Sequence, residues 1–195
     1  MKEIFAFIGA FIILFCTLPY IIDVVKKKTK PNVITWVIWS VLIAIGSAAL
    51  YASNEFNAAL LLTGDFIATL AVVIVGLKYG TAKLDRFDFV CLIGAVVGLA
   101  IWVIFSSPLI VIITTIVIDL IATIPTIRHS YRKPKEETWV TYALGAIATV
   151  FTLLSLPNYE FFAFIYPAYL LFSNGLLCII ILFRRQVGYK TKSRS

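Results

Sequence analysis

Thr17-Leu18-Pro19-Tyr20-Ile21-Ile22-Asp23, the lysine run that follows it, and Thr35-Trp36-Val37-Ile38-Trp39 decide the fold, because the pattern occurs twice. Its second copy reads Thr123-Ile124-Pro125-Thr126-Ile127-Arg128-His129, a further basic run, and Thr138-Trp139-Val140-Thr141-Tyr142. The offsets are 106 residues (Thr17 to Thr123) and 103 residues (Thr35 to Thr138). A further landmark follows each copy: Asn54-Glu55-Phe56 in the first, Asn158-Tyr159-Glu160-Phe161 in the second. Two apolar stretches resemble each other easily by chance. A proline, a basic loop, a Thr-Trp pair and an Asn/Glu turn in the same order mark a duplicated unit.

The composition says what surrounds that unit. Of 195 residues, 61% are hydrophobic and 14% charged, against about 45–50% and about 25% in soluble domains. Such a chain cannot hide its apolar surface in one soluble core, and three cysteines give no disulfide framework. A bilayer-spanning helix takes about 20 mostly apolar residues. Seven such runs are present: Ile4 to Val25, Val33 to Ala52, Phe56 to Leu77, Phe87 to Phe105, Pro108 to Ile127, Thr138 to Leu156 and Phe161 to Phe183. None alternates with the period of two that a membrane strand requires. The first run is too long for a signal peptide's apolar region and no small-x-small cleavage site follows it. The expected fold is an all-α membrane protein with seven transmembrane helices.

The net charge of +7 is a topology signal rather than a nucleic-acid footprint. Sixteen of the seventeen Lys and Arg residues fall after spans one, three, five and seven; only Lys2 falls on the other side. The loops at Ser53–Glu55, Ser106–Ser107 and Pro157–Glu160 hold none. The positive-inside rule then sets the N-terminus outside and the C-terminus in the cytoplasm of a cell membrane.

Four spans separate the two copies, an even number, so both copies point the same way across the bilayer. That is a parallel 3+1+3 repeat about an axis along the membrane normal. Residues 1–80 form the first three-helix repeat, 81–107 the linker helix, 108–185 the second repeat and 186–195 a basic cytoplasmic tail. In this layout, and in the proline near the inner end of each repeat's first helix, the chain resembles the SWEET and PQ-loop superfamily of small-solute transporters. Pro19-Tyr20 and Pro125-Thr126 stand where PQ-loop proteins carry Pro-Gln, and spans two and six lack the family's prolines. The resemblance is to a divergent bacterial branch. It implies alternating access between the repeats, with inner-gate hinges at Pro19 and Pro125. It also implies that Asn174 is the ligand-facing asparagine of the last helix. A gapless alignment from Phe56 and Phe161 sets Asn174 opposite Thr69, so Asp65 or Thr69 takes the first asparagine's place.

The residues themselves point to a site at mid-membrane. Asp65 and Asp119 lie about halfway along spans three and five, where an ionisable group costs about 2.5–3.5 kcal/mol. No Lys or Arg lies at that depth, so these acids are candidates to carry a proton or cation or to contact a polyhydroxy solute. A neighbouring hydroxyl such as Thr63, Thr114 or Thr115 would satisfy them in a purely structural role. Trp36 and Trp39 share one helix face, as do Trp139 and Tyr142. Trp36 and Trp139 read as interfacial anchors; Trp39 and Tyr142 lie deeper and read as pocket residues. Asp23 and Arg128, beyond the two prolines, are candidates for a charge pair across the inner gate. Gly94 and Gly98 mark a close helix contact or a homodimer face.

The substrate-binding set is therefore Asp65, Thr69, Asp119, Asn174, Trp39 and Tyr142, and the gate set Pro19, Pro125, Asp23 and Arg128. Cys16, Cys91 and Cys178 read as apolar core residues, and His129 as a solvated loop residue. No phosphate loop, nucleophile elbow or zinc signature is present, so no enzyme, cofactor or metal is expected. The expected partners are a small polar solute, a proton and the lipid bilayer. The expected function is transport of a sugar-like or other small polar solute, with proton coupling as an option. The alternative is a receptor or assembly partner with the same helices and no transport.

Overall fold

The structure, a computed structural model, describes residues 1–29, 31, 33–80 and 108–192, together with 86, 89, 90, 93, 94, 96, 97, 100 and 104. Among the described residues seven α-helices are formed: α1 (Lys2–Phe15), α2 (Leu18–Val25), α3 (Val33–Ala52), α4 (Phe56–Tyr79), α5 (Pro108–Arg132), α6 (Trp139–Ser155) and α7 (Phe161–Lys192). A short 3₁₀ turn, Pro134–Glu136, joins α5 to α6. Among the described residues there is no strand. Six of the seven expected spans correspond to these helices, with α1 and α2 together making the first. The expected span from Phe87 to Phe105 lies largely outside the described residues, as do Cys91 and Gly98. Gly94 is described and lies against Ile118 of α5.

Among the described residues three helical stretches are long and apolar enough to cross a membrane: Lys2–Val25, Phe56–Tyr79 and Ala163–Gln186. Shorter apolar stretches run over Trp36–Ala52, Ile112–Ile124 and Trp139–Ser155. Large apolar side chains such as Phe7, Ile74, Leu77, Phe172, Ile179 and Phe183 point outward, while Thr69, Thr115, Thr149, Thr152 and Ser155 are buried. This inversion of the soluble pattern suits a hydrocarbon solvent, in which every polar group must find its partner inside the protein. Thr69, Thr149, Thr152 and Ser155 comply by bonding back along their own helices. Thr149 donates to the Gly145 carbonyl at 2.8 Å and Thr123 to the Asp119 carbonyl at 2.8 Å.

The helices close into a ring. Going round it, α1 packs on α4, α4 on α3, α3 on α5, α5 on α7, α7 on α6, and α6 back on α1. Glycines set the tightest approaches around α1. A Cβ on Gly9 would stand 2.7 Å from Thr152 Oγ1 and 2.9 Å from the Ala148 carbonyl of α6. A Cβ on Gly64 of α4 would stand 2.7 Å from Ile13 Cγ2 and 2.9 Å from the Ala10 carbonyl. One end of the ring is sealed by Leu50, Ala58, Leu61, Leu62, Leu156 and Tyr166, all but inaccessible. At that end Lys2 closes a helix terminus: its Nζ donates to the carbonyls of Leu156 and Pro157, each at 2.9 Å. A cation on orphan carbonyls at a helix C-terminus is favourable, which accounts for the single basic residue off the basic side.

Two turns are built alike. After α2, Lys28 N–H donates to the Asp23 carbonyl and Lys27 N–H to the Val24 carbonyl, with Lys27 at φ 59°. After α3, Glu55 N–H donates to Leu50 and Asn54 N–H to Tyr51, with Asn54 at φ 61°. Both are Schellman motifs, in which a left-handed residue ends the helix. Asn54→Val is expected to cost about 1–2 kcal/mol, because a β-branched side chain is strained there; Lys27→Gly is expected to leave stability unchanged or raise it. Thermal unfolding in detergent checks both.

The two prolines behave differently. The first span breaks into α1 and α2 at Cys16–Thr17, just before Pro19. Pro19 brings no N–H to bond Phe15, and Thr17 gives its hydroxyl to the Ala68 carbonyl of α4 at 3.3 Å. α5 runs unbroken through Pro125. There Thr123 spends its hydroxyl on its own helix, which holds the turn in place.

Candidate functional site

Inside the ring is a cavity of about 90 Å³. The junction of α1 and α2 and each of the other five helices contribute to its wall. Roughly 10–15 Å³ suffices for one enclosed water, so the space suits several waters or one small solute. Asp65, Thr69, Asp119, Asn174, Trp39 and Tyr142 all line it. The whole candidate binding set is thus brought to one place.

Helical spacing explains how. Asp65 and Thr69 are four apart on α4, and the Thr69 hydroxyl donates to the Asp65 carbonyl at 2.9 Å. Asp119 and Thr123 repeat the arrangement on α5 at 2.8 Å. On α7, Tyr166, Leu170, Ser173, Asn174 and Leu177 form one stripe facing the cavity. The Asn174 amide donates to the Leu170 carbonyl at 3.0 Å, and Gly145 of α6 leaves room for it: a Cβ there would come within 3.0 Å of Asn174 Oδ1.

Read at the offsets of the sequence repeat, the wall is nearly matched. Thr123 is the counterpart of Thr17, Tyr142 of Trp39 and Asn174 of Thr69, and all six line the cavity. The acids break the match. Asp119 has Ile13 as its counterpart, and Asp65 has Leu170, so each half supplies one acid at a different level of the wall. Their surroundings differ too. The Tyr169 hydroxyl donates to Asp119 Oδ2 at 2.5 Å. Among the described residues the Asp65 carboxyl has no hydrogen-bond partner, and those that line the cavity include no Lys, Arg or His. The Trp39 indole N–H and the Thr141 hydroxyl are also buried without a partner among the described residues. A buried unpaired donor costs about 1–3 kcal/mol. These groups form a polar, acidic, aromatic-walled pocket with unspent hydrogen-bonding capacity.

The aromatic set differs from the expectation in one residue. Trp36 is not an interfacial anchor but is buried, 5.0 Å from Tyr20 and 5.2 Å from Trp39 between ring centroids, and it lines the cavity. Trp139 packs with Tyr142, Leu177 and Ile181. Of the gate residues, Pro19 stands at the helix break described above. Asp23 accepts from Thr138 Oγ1 at 2.7 Å and meets Lys28 at 3.8 Å. The side chains of Pro125 and Arg128 lie outside the described residues, so the expected Asp23–Arg128 pair does too.

Several residues of the site were not singled out from sequence: Tyr166, Ser173, Thr17, Thr123 and Thr141 in the cavity wall, and Tyr169, which holds Asp119. The period of polar groups along α7 is the signal that finds Ser173, and Tyr166 falls on the same face. Glu137 was also missed. It lies just before α6, and the Tyr142 hydroxyl reaches out of the cavity wall to its Oε2 at 3.3 Å. No family model, no curated protein and no solved structure matches this chain.

Proposed function

We infer that the protein is a multi-pass membrane transporter for a small polar solute, working by alternating access between two three-helix repeats. The carrying observation is the cavity, onto which both halves of the chain converge with two acids, an amide and paired aromatics. The ring order supports a 3+1+3 repeat. Within residues 1–80, α4 bridges α1 and α3; within 108–185, α7 bridges α5 and α6. The main contacts between halves are α1 with α6 and α3 with α5, the same pair exchanged. On this reading residues 81–107 supply the linker helix, and the chain is a divergent SWEET and PQ-loop relative. The basic loops face the cytoplasm, with the N-terminus outside.

Asp65 is the chief solute- or proton-binding group, because its carboxyl lines the cavity with no hydrogen-bond partner among the described residues. Asp119, held by Tyr169, and Asn174 orient the solute, and Trp39 and Tyr142 stack against it. The break before Pro19 is the hinge. A receptor with the same helices would share the pocket, and sided labelling separates the two readings.

A thermal-shift screen of purified protein tests the reading. Sugars, amino acids and vitamin-like heterocycles are added at about pH 5.5 and about pH 7.5. A true ligand at 100 times its dissociation constant is expected to add about 2.7 kcal/mol of stability. A screen in which no small polar solute shifts the transition, even near molar concentration, contradicts the reading.

A further inference from the structure

We propose that the cavity selects a small organic ammonium ion that carries no carboxylate, an amino alcohol being the simplest form. This rests on the reading of the cavity as a solute site and names the charge of what fills it.

Charge in the wall is one-sided. Asp65 and Asp119 both line the cavity, and among the described residues no Lys, Arg or His does. The absence of bases at that depth holds for the full sequence. Lys, Arg and His are missing from residues 3–25, 31–77, 87–127 and 136–183, and every lining residue falls within those runs. Along α4 the base nearest to Asp65 is Lys78, about 20 Å away; along α5 the base nearest to Asp119 is Arg128, about 14 Å away.

A carboxylate held away from water without a counter-charge is costly. A neutral solute leaves that cost in place, and a cation removes it. A solute with a carboxylate of its own adds a further negative group and meets no base. Asp119 has part of its need met by the Tyr169 hydroxyl at 2.5 Å. Asp65 has no hydrogen-bond partner among the described residues, so it is the anchor for the ammonium.

The aromatic wall favours the same charge. Trp36, Trp39, Tyr142 and Tyr166 line the space. Trp36 and Trp39 stand 5.2 Å apart between centroids with their rings at 81°, which makes a corner of two indoles. The face of an aromatic ring carries negative potential and draws an ammonium ion, tryptophan most strongly. It offers a carboxylate nothing.

A second handle is independent of the acids. The Trp39 indole N–H and the Thr141 hydroxyl are buried in this wall with no partner among the described residues, and Thr141 is only 7% exposed. A buried donor without an acceptor is unfavourable, so a neutral oxygen on the solute completes the site. An ammonium for the acids and a hydroxyl oxygen for the donors together describe an amino alcohol.

Two sets of probes of closely matched shape test this. One is ethanolamine, propanol and glycine. The other is choline, its neutral isostere with tert-butyl in place of trimethylammonium, and glycine betaine. Each probe is titrated against purified full-length protein in an uncharged detergent at constant ionic strength, with thermal unfolding as the readout. In at least one set the ammonium alcohol is expected to bind at least about tenfold more tightly than both its neutral and its carboxylate counterpart. In Asp65→Asn that preference over the neutral counterpart is expected to fall below about threefold. If this variant does not fold, the wild-type comparison decides alone. A preference under tenfold in both sets, or no shift with either ammonium alcohol even near molar concentration, overturns the proposal. A sugar that binds in the wider screen would then keep the solute reading, whereas a blank throughout contradicts both.

Discussion

Asp65→Asn is expected to lower transport about ten- to hundredfold, and to flatten whatever pH dependence the wild type shows. The argument is one of partners. The Asp65 carboxyl faces a cavity with no cationic side chain and makes no hydrogen bond among the described residues. Whatever it contacts during transport is brought in from outside. A hydrogen bond to a charged group contributes about 1.5–3 kcal/mol, and its loss at the solute falls in the stated range. Asp119→Asn is expected to do less. Its amide oxygen still accepts from Tyr169, so the wall keeps its shape while the charge is lost. Uptake into proteoliposomes of the solute identified by the stability screen checks both variants. Wild-type rate and pH dependence in both would remove the acids from the mechanism.

The second large effect concerns how closely the helices approach. Gly64→Val is expected to cost about 3 kcal/mol or more, and Gly9→Ala about 1–3 kcal/mol. In each case the added carbon meets a backbone carbonyl of the neighbouring helix at 2.9 Å. A carbonyl in a helix cannot swing aside, so the helices must part and the ring around the cavity loosens. Gly175 is the control. It lies inside α7 with nothing within 4 Å of its added Cβ. Gly175→Ala is expected to stabilise by about 0.5–1 kcal/mol, because alanine gives up less freedom in a helix. Thermal unfolding of the purified variants separates clash from propensity. Equal effects at Gly64 and Gly175 would mean that the close approach is not what glycine provides.

Much of the fold was legible because a bilayer makes few demands and makes them loudly. α3 begins and ends at Val33 and Ala52, as the apolar run does, and α4 extends the expected span only from Leu77 to Tyr79. Asp65 and Asp119 stood out for the same reason: hydrocarbon makes a carboxyl costly, so it stays only where the interior has a use for it. Asn174 and Thr69 followed from the repeat. Other features depend on neighbours that sequence does not show. Pro19 and Pro125 look alike, yet only the first coincides with a break, and the difference lies in where Thr17 and Thr123 send their hydroxyls. Trp36 carries every mark of an interfacial residue; Tyr20 buries it. Tyr169 is one tyrosine in an aromatic-rich helix until Asp119 is placed opposite. Glu137 sits one residue outside a span, in a loop of charges, where a solvated carboxylate is the ordinary expectation.

Sided accessibility tests the central claim most directly. Single cysteines are placed beside Pro19, at the basic end, and beside Glu55, at the opposite end, in protein lacking its native cysteines. Each is labelled from its own side of a sealed vesicle, with and without the solute found by the screen. Alternating access predicts opposite responses: one position becomes more reactive as the other becomes less so. Labelling that changes in the same direction at both ends, or at neither, would contradict a transporter and leave a ligand-binding protein that does not carry its ligand across.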